Sequence, residues 1–404
     1  MSERKQKAWK PATKLVRGGT MRSQHGETSE AIFLTSGYAY DNAEQAAARM
    51  SGDEDGYVYS RYGNPTNQML ADRLALLEGA ETCRVTSSGM GAISSALIGP
   101  CSAGDRVVAA NALFGSCRHI CSTILPRFGV ETEFVDGSDM DAWKAALSKP
   151  TRLVLIETPS NPLLDAVDVA AIAELAHAAG ALLVVDNVFA TPILQRPLEM
   201  GADVVVYSAT KHMDGQGRVL AGVILGKTEF IEEHIDPWLR HTGPACSPFN
   251  AWVVLKGLDT LDLRVRQASQ NAARLADVIA EHPNVAAVHY PGRKDHPGYE
   301  IHNKQMDLGG TLIAFSVKSG AGTSSGDSRL TAFKVLNALE LVDISNNLGD
   351  TKSLACHPAS TTHRALSAEE QAEMGLDESW LRLSVGLEDA GDLEADLIQA
   401  LDAL

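Results

Sequence analysis

Runs of β-forming residues alternate with stretches of helical spacing through the first half of the chain. The strand-like runs cover residues 83–86, 106–110, 130–135, 153–156, 182–185 and 204–207, each short enough to be a buried strand. Between them lie helical patterns at 67–79, where Leu70, Leu74 and Leu77 recur, at 92–98, after Phe114, at 141–147 and at 169–179. Such alternation predicts a mostly parallel sheet with helices on both faces. The sheet signal ends at Gly226, and a helical region at 249–279 leads into a tail that mixes strands at 285–289, 311–317 and 381–385 with helices near 330–339 and 393–404. The pattern therefore predicts an α/β protein in three parts: an N-terminal arm and loop at 1–65, a large α/β domain at 66–260 and a smaller α/β domain at 261–404. Residues 318–328, KSGAGTSSGDS, read as a flexible loop inside the last part.

Composition narrows the class. With 404 residues and 45% hydrophobic content, the chain can fill the cores of one large and one smaller domain. Its most apolar stretch, 166–190, is interrupted by Asp168, Glu174, His177 and Asp186, which excludes a membrane-spanning helix. A formal charge of −16 argues against a nucleic-acid partner, since phosphate backbones require basic stripes. The first 22 residues depart from this balance, carrying Arg4, Lys5, Lys7, Lys10, Lys14, Arg17 and Arg22 against Glu3 alone. No apolar segment follows them, so they predict a polar arm docked on a neighbouring subunit and not a secretory signal. Six cysteines without a CxxC pair suit a reducing cytoplasm. Neither Cys117 with Cys121 nor Cys356 with His357 and His363 has the spacing of a metal site, and none is expected.

The candidate chemistry gathers at strand ends. In 203–222, DVVVYSATKHMDGQGRVLAG, an apolar run hands the chain to Ser208, Thr210 and a single lysine, Lys211, in a Gly-rich loop. Another apolar run ends at Asp186. Lysine for a covalent bond to an aldehyde, and aspartate for a protonated ring nitrogen, together suggest pyridoxal phosphate. The turn SSGMG at 87–91 opens a helix whose free amides could hold an anion, while Phe114 could stack on a planar ring and Asn161 follows another strand. Tyr59 and Arg61 in GYVYSRYGNPT would point the same way from an extended segment, and arginine suits a phosphate. Asn347 and Arg382 sit at strand edges of the smaller domain, where an arginine could clamp a carboxylate. A different class is also open: a non-catalytic sheet protein whose Gly-rich turn binds a nucleotide. The acidic Asp186 speaks against a polyphosphate there.

The segments YSRYGNPT, SSGMGA, ETPSNP, DNVFATP, YSATKH, NLGDTKSL, HPASTTH and RLSVGLED resemble, in order and spacing, the cysteine and methionine metabolism family of pyridoxal-phosphate enzymes. The likeness spans nearly the whole chain. Within the family it looks closest to the sulfhydrylases of O-succinylhomoserine, and next to the cystathionine γ-synthases and methionine γ-lyases. The resemblance implies a fold type I transferase with a large mostly parallel sheet domain and a small C-terminal α/β domain, assembled as a homotetramer with shared active sites. It implies that Lys211 bonds the cofactor, Asp186 pairs with the ring nitrogen, Asn161 bonds the ring hydroxyl and Phe114 stacks on the ring. Gly89, Met90, Ser208 and Thr210 would hold the phosphate, with Tyr59 and Arg61 from the adjacent subunit. Arg382 and Asn347 would bind the α-carboxylate of an amino-acid substrate.

The implied reaction is γ-replacement, in which the acyl group of an acylated homoserine leaves and a sulfur nucleophile takes its place; succinyl or acetyl, and sulfide or cysteine, stay open. Three departures from the family pattern matter. Phe114 replaces the tyrosine common over the ring, leaving Tyr59 as the expected catalytic helper beside Lys211. Ser116 stands where γ-lyases tend to have cysteine. The loop HMDGQGRVLAG suggests a specialised leaving-group side of the pocket, with Arg218 as its candidate.

Overall fold

The computed structural model describes residue 6, residues 8–318 and residues 325–404. Its centre follows from the β-branched runs. Thr82–Thr86 (β1), Arg106–Ala110 (β2), Glu131–Val135 (β3), Leu153–Glu157 (β4), Leu182–Asp186 (β5), Val204–Ser208 (β6) and Gly222–Gly226 (β7) form one sheet in the order β1-β7-β6-β5-β4-β2-β3. Strands β2 to β6 pair in parallel, and β7 runs against both β6 and β1. Only β7 is therefore reversed.

Helices cover both faces, so the central strands are apolar on both. Val108, Val154, Leu183, Val185, Val205 and Val223 pack into one core, and their neighbours Val107, Leu153, Leu155, Val184, Val204 and Ile224 into another. At about 1.5–3 kcal/mol for each fully buried aliphatic side chain, these two layers are the main stabilising contribution. The six co-directional strands, β1 to β6, bring their carboxyl ends to one edge. In sheets of this kind that edge is where ligands collect.

Val285–His289 (β8), Leu312–Val317 (β9), Asp343–Ile344 (β10), Leu354–Cys356 (β11) and Trp380–Ser384 (β12) form a second sheet in the order β10-β11-β12-β9-β8. The single helical region expected at 249–279 is two helices, Pro248–Leu258 and Leu261–Glu281, broken at Asp259 and Thr260. The second, here α3, follows Pro65–Glu78 (α1) and Gly89–Ile98 (α2). Its first turns bury Leu261 and Val265 in the core of the large sheet, and its last turns bury Leu275 and Ile279 against the small one. One rod of about 32 Å thus couples the two sheets.

Two local expectations need revision. The segment 318–328 is not one loop, because Ser325–Ala338 is helical; 319–324 lie outside the described residues. At the other end, Pro11–Arg17 is a helix whose Leu15 is buried in the chain's own core, and Arg73 Nε donates to the Gly18 carbonyl at 2.9 Å. Residues 1–5 and 7 of the expected arm lie outside the described residues.

Candidate active site

Three neighbouring strands end in polar groups, and their register sets the site. Glu157 at the end of β4 pairs with Asp186 at the end of β5, which pairs with Val206 two residues before Ser208 on β6. These ends open onto a cavity of about 350 Å³ that also reaches Phe114, Asn161, Lys211 and Arg382.

One end of the cavity is made to hold an anion. Helix α2 starts there, with the Ser88 side chain accepting from the Gly91 N–H at 3.0 Å, and its first amides, at Gly89 and Met90, are those a helix leaves unpaired. Ser208 and Thr210 line the cavity beside it. A Cβ on Gly89 would lie 2.6 Å from the Ser208 Cβ, so only glycine lets the helix start approach β6 so closely. Thr210 is fixed by a reciprocal pair with Ala221, accepting from its N–H at 3.1 Å and donating to its carbonyl at 3.3 Å.

The middle and far end carry charge. Burial pushes the Asp186 carboxyl up to about 7, opposed by the Val188 N–H that it accepts at 3.1 Å. Burial and the adjacent Asp186 raise the Glu157 carboxyl well above its ordinary range. Two buried carboxylates side by side call for a cation between or beside them. Lys211 Nζ donates to Asn347 Oδ1 at 2.5 Å, and burial, then the positive Arg382, lower its pKa to about 8. A larger share of the amine is therefore uncharged near neutral pH than in an ordinary lysine.

Arg382 reaches the cavity from β12. It is only 2% exposed, donating to Asn161 Oδ1 at 2.9 Å and to the Asn346 carbonyl at 3.1 Å. Its bond to Asn161 joins the small sheet to the large one across the cavity. With its Oδ1 so engaged, Asn161 keeps its amide N–H groups for a ligand.

The structure thus brings together Gly89, Met90, Phe114, Asn161, Asp186, Ser208, Thr210, Lys211 and Arg382 around one cavity, with Asn347 on the Lys211 amine. It does not bring Tyr59 or Arg61 to that cavity. Tyr59 is 43% exposed, while the Arg61 guanidinium lies over the Tyr59 and Tyr62 rings at 5.3 and 4.9 Å and donates to the Arg240 carbonyl. Arg218 also lies elsewhere. It folds back on the buried Asp214, donating to its carboxylate from Nε at 2.8 Å and from its main-chain N–H at 2.6 Å. Glu157 escaped the sequence reading, although it closes an apolar run just as Asp186 does. The signal that singled out Asp186 applies to it equally.

These groups fit pyridoxal phosphate: unpaired amides and hydroxyls for a phosphate, an aromatic face, an amide donor, buried carboxylates for a cationic nitrogen, and an amine of lowered pKa. Comparison with known proteins gives the same answer. Residues 12–402 match the model of the family described as Cys/Met metabolism PLP-dependent enzyme. The chain is similar to the O-succinylhomoserine sulfhydrylase of Mycobacterium tuberculosis, with 53% identity over 390 residues, 96% of this chain and 95% of that one. It is similar also to the L-methionine gamma-lyase of Treponema denticola, with 42% identity over 97% of each chain. Among solved structures, a protein of Campylobacter jejuni assigned as an O-acetylhomoserine (thiol)-lyase superposes with a TM-score of 0.92 at 32% identity, covering 98% of this chain and all of that one. That crystal structure carries N'-pyridoxyl-lysine-5'-monophosphate.

Proposed function

Because the chain belongs to the Cys/Met metabolism family of enzymes, whose cofactor is pyridoxal 5'-phosphate, we propose that it replaces the acyl group of O-succinylhomoserine with sulfide. The product is homocysteine, which places the reaction in methionine biosynthesis. The observation that carries this choice of reaction is the 53% identity to an O-succinylhomoserine sulfhydrylase over nearly the full chain.

In this reading the anion end, Gly89, Met90, Ser208 and Thr210, would hold the phosphate, and Phe114 would offer its face to the ring and Asn161 a donor to the ring hydroxyl. Asp186 would serve the ring nitrogen as its anionic partner. An ion pair near 3 Å at an effective dielectric near 20 is worth about 5 kcal/mol before desolvation is subtracted. Bound, the cofactor supplies a sink for the electron pair left when a proton departs the substrate's α-carbon. Lys211 would hold the cofactor through its amine, and that amine, free when substrate is bound, would take the α-proton and a β-proton. Succinate would leave from the γ-carbon with its electron pair, hydrosulfide would add there, and return of the two protons to the β- and α-carbons would complete the exchange. Arg382 and Asn347 grip the α-carboxylate and so hold the α-hydrogen toward Lys211.

The same proposal includes a homotetramer with shared sites in the cytoplasm and divisions of the chain at 65/66 and 260/261. Support for sharing is that the anion end of this chain is made of neutral donors, while Tyr59 and Arg61 stand exposed and away from that cavity. Arg61 from an adjacent subunit would supply the missing phosphate cation, and Tyr59 a catalytic hydroxyl that Phe114 lacks. A second reading, γ-elimination from methionine, draws on the 42% identity to a gamma-lyase.

Turnover with O-succinylhomoserine and O-acetylhomoserine, each with sulfide and with cysteine, tests the reaction. Homocysteine formed fastest from the succinyl ester and sulfide is expected, whereas faster ketoacid release from methionine alone would replace it with the lyase reading. For the shared site, mixed Lys211→Ala and Arg61→Ala subunits should recover activity; none after demonstrated exchange would refute it.

A further inference from the structure

Glu157 has no place among the groups assigned above to cofactor or substrate, yet it is buried at the cavity wall with both carboxylate oxygens engaged. It is 4% exposed at the end of β4, with Asp186 as its register partner. Its two oxygens serve two different loops. Oε2 accepts from the Phe114 N–H at 2.7 Å, and Oε1 accepts from the Asn161 N–H at 3.0 Å. Phe114 enters from the loop after β2, as the residue preceding the helix Gly115–His119, and Asn161 from the loop after β4.

That arrangement is specific to a carboxylate. Both oxygens must accept, and an amide of the same shape has only one acceptor, its other end setting N–H against N–H. Keeping such a group buried beside Asp186 is costly, because burial and the neighbouring carboxylate both raise its need for a proton. A fold that needed only a tie between two loops could use a neutral acceptor at lower cost. The Phe114 and Asn161 side chains point to the cavity while their main-chain N–H groups meet on this one carboxylate. A shift of Glu157 would move both at once.

We propose that Glu157 is a positioning residue that sets, through the main-chain N–H groups of Phe114 and Asn161, how these two side chains grip the cofactor ring. The inference rests on the reading of Phe114 and Asn161 as ring contacts. Outer groups that orient ligating residues commonly matter 10–100-fold to affinity or activity in metal sites, and the same order is expected here.

The test uses the full-length protein loaded with pyridoxal phosphate and the variants Glu157→Gln and Glu157→Ala, with Phe114→Ala and Asn161→Ala beside them. Cofactor Kd, and the amplitude of the visible circular dichroism band that reports ring orientation, are read alongside melting temperature. Glu157→Gln is expected to raise the Kd about tenfold and Glu157→Ala about 10–100-fold, both with a changed dichroic band. A purely structural role would lower the melting temperature and leave Kd within threefold or the band unaltered; either result overturns the inference. So does failure of both variants to fold, which would make Glu157 a residue of the fold itself. Unchanged Kd in Phe114→Ala and Asn161→Ala would instead remove the ring-contact reading, and this inference with it.

Discussion

The two halves of the cavity are built on different plans. The half at the strand ends of the large sheet is fixed by main-chain geometry: the start of α2, the register of β4, β5 and β6, and loops tied back by Glu157 and Thr210. The other half is formed by side chains and carbonyls from the small sheet, among them Arg382, Asn347 and the exposed Asn346. A ring and phosphate common to many enzymes suit a rigid, backbone-made seat. A substrate that differs between related enzymes suits a wall of replaceable side chains.

Substitutions can break that contrast, and the largest effect is expected in the first half. Lys211→Ala should abolish turnover, a loss of at least about 10⁴-fold, and Asp186→Asn should cost about 10²–10⁴-fold, both read as single-turnover rates with substrate. Next comes Arg382→Ala, which should lower kcat/KM about 30- to 1000-fold, or about 2–4 kcal/mol, by removing a charged carboxylate partner. Its cofactor Kd should stay within about threefold if the halves are separable, since only one bond to Asn161 is lost. An equal loss of cofactor would show that the seat extends through β12.

A smaller effect concerns pH. The Lys211 amine in cofactor-free protein should react with an acylating reagent with a midpoint near 8, not 10.5, and Arg382→Ala should raise that midpoint. The folded state gives up this proton before the unfolded state does. Lys211 therefore costs stability below about pH 8, and the cost fades as pH rises toward 10.5, which urea unfolding of the parent and Lys211→Met proteins would reveal. The smallest effect on activity, under about threefold, is expected for Arg218→Ala. Its loss from the buried Asp214 should appear in the melting temperature instead.

Much of the first half was legible in the sequence because strand ends advertise themselves. An apolar run that stops at Asp186 or Ser208 states both the strand and the group it presents. Glu157 obeys the same rule and was passed over only because its partners are main-chain N–H groups, which no side-chain pattern records. The reversed strand β7 was hidden for a related reason: GVILG reads as a buried strand in either direction. On the substrate side, Arg382 and Asn347 could be named but not joined, since the contacts with Asn161 and Lys211 span sequence separations of 221 and 136 residues. Loop composition alone points Arg218 to the leaving-group wall, whereas the pull of Asp214, four residues away, holds it elsewhere.

Strand β7 begins at Gly222, and a Cβ there would stand 2.1 Å from the Ser88 carbonyl oxygen and 2.7 Å from the Thr86 hydroxyl. This glycine does not line the cavity, yet the helix start at the cavity's anion end is pressed directly against it. Substitutions around the exposed Asn346 should thus be tolerated, while a single methyl group added at Gly222 should empty the enzyme of its coenzyme from a distance.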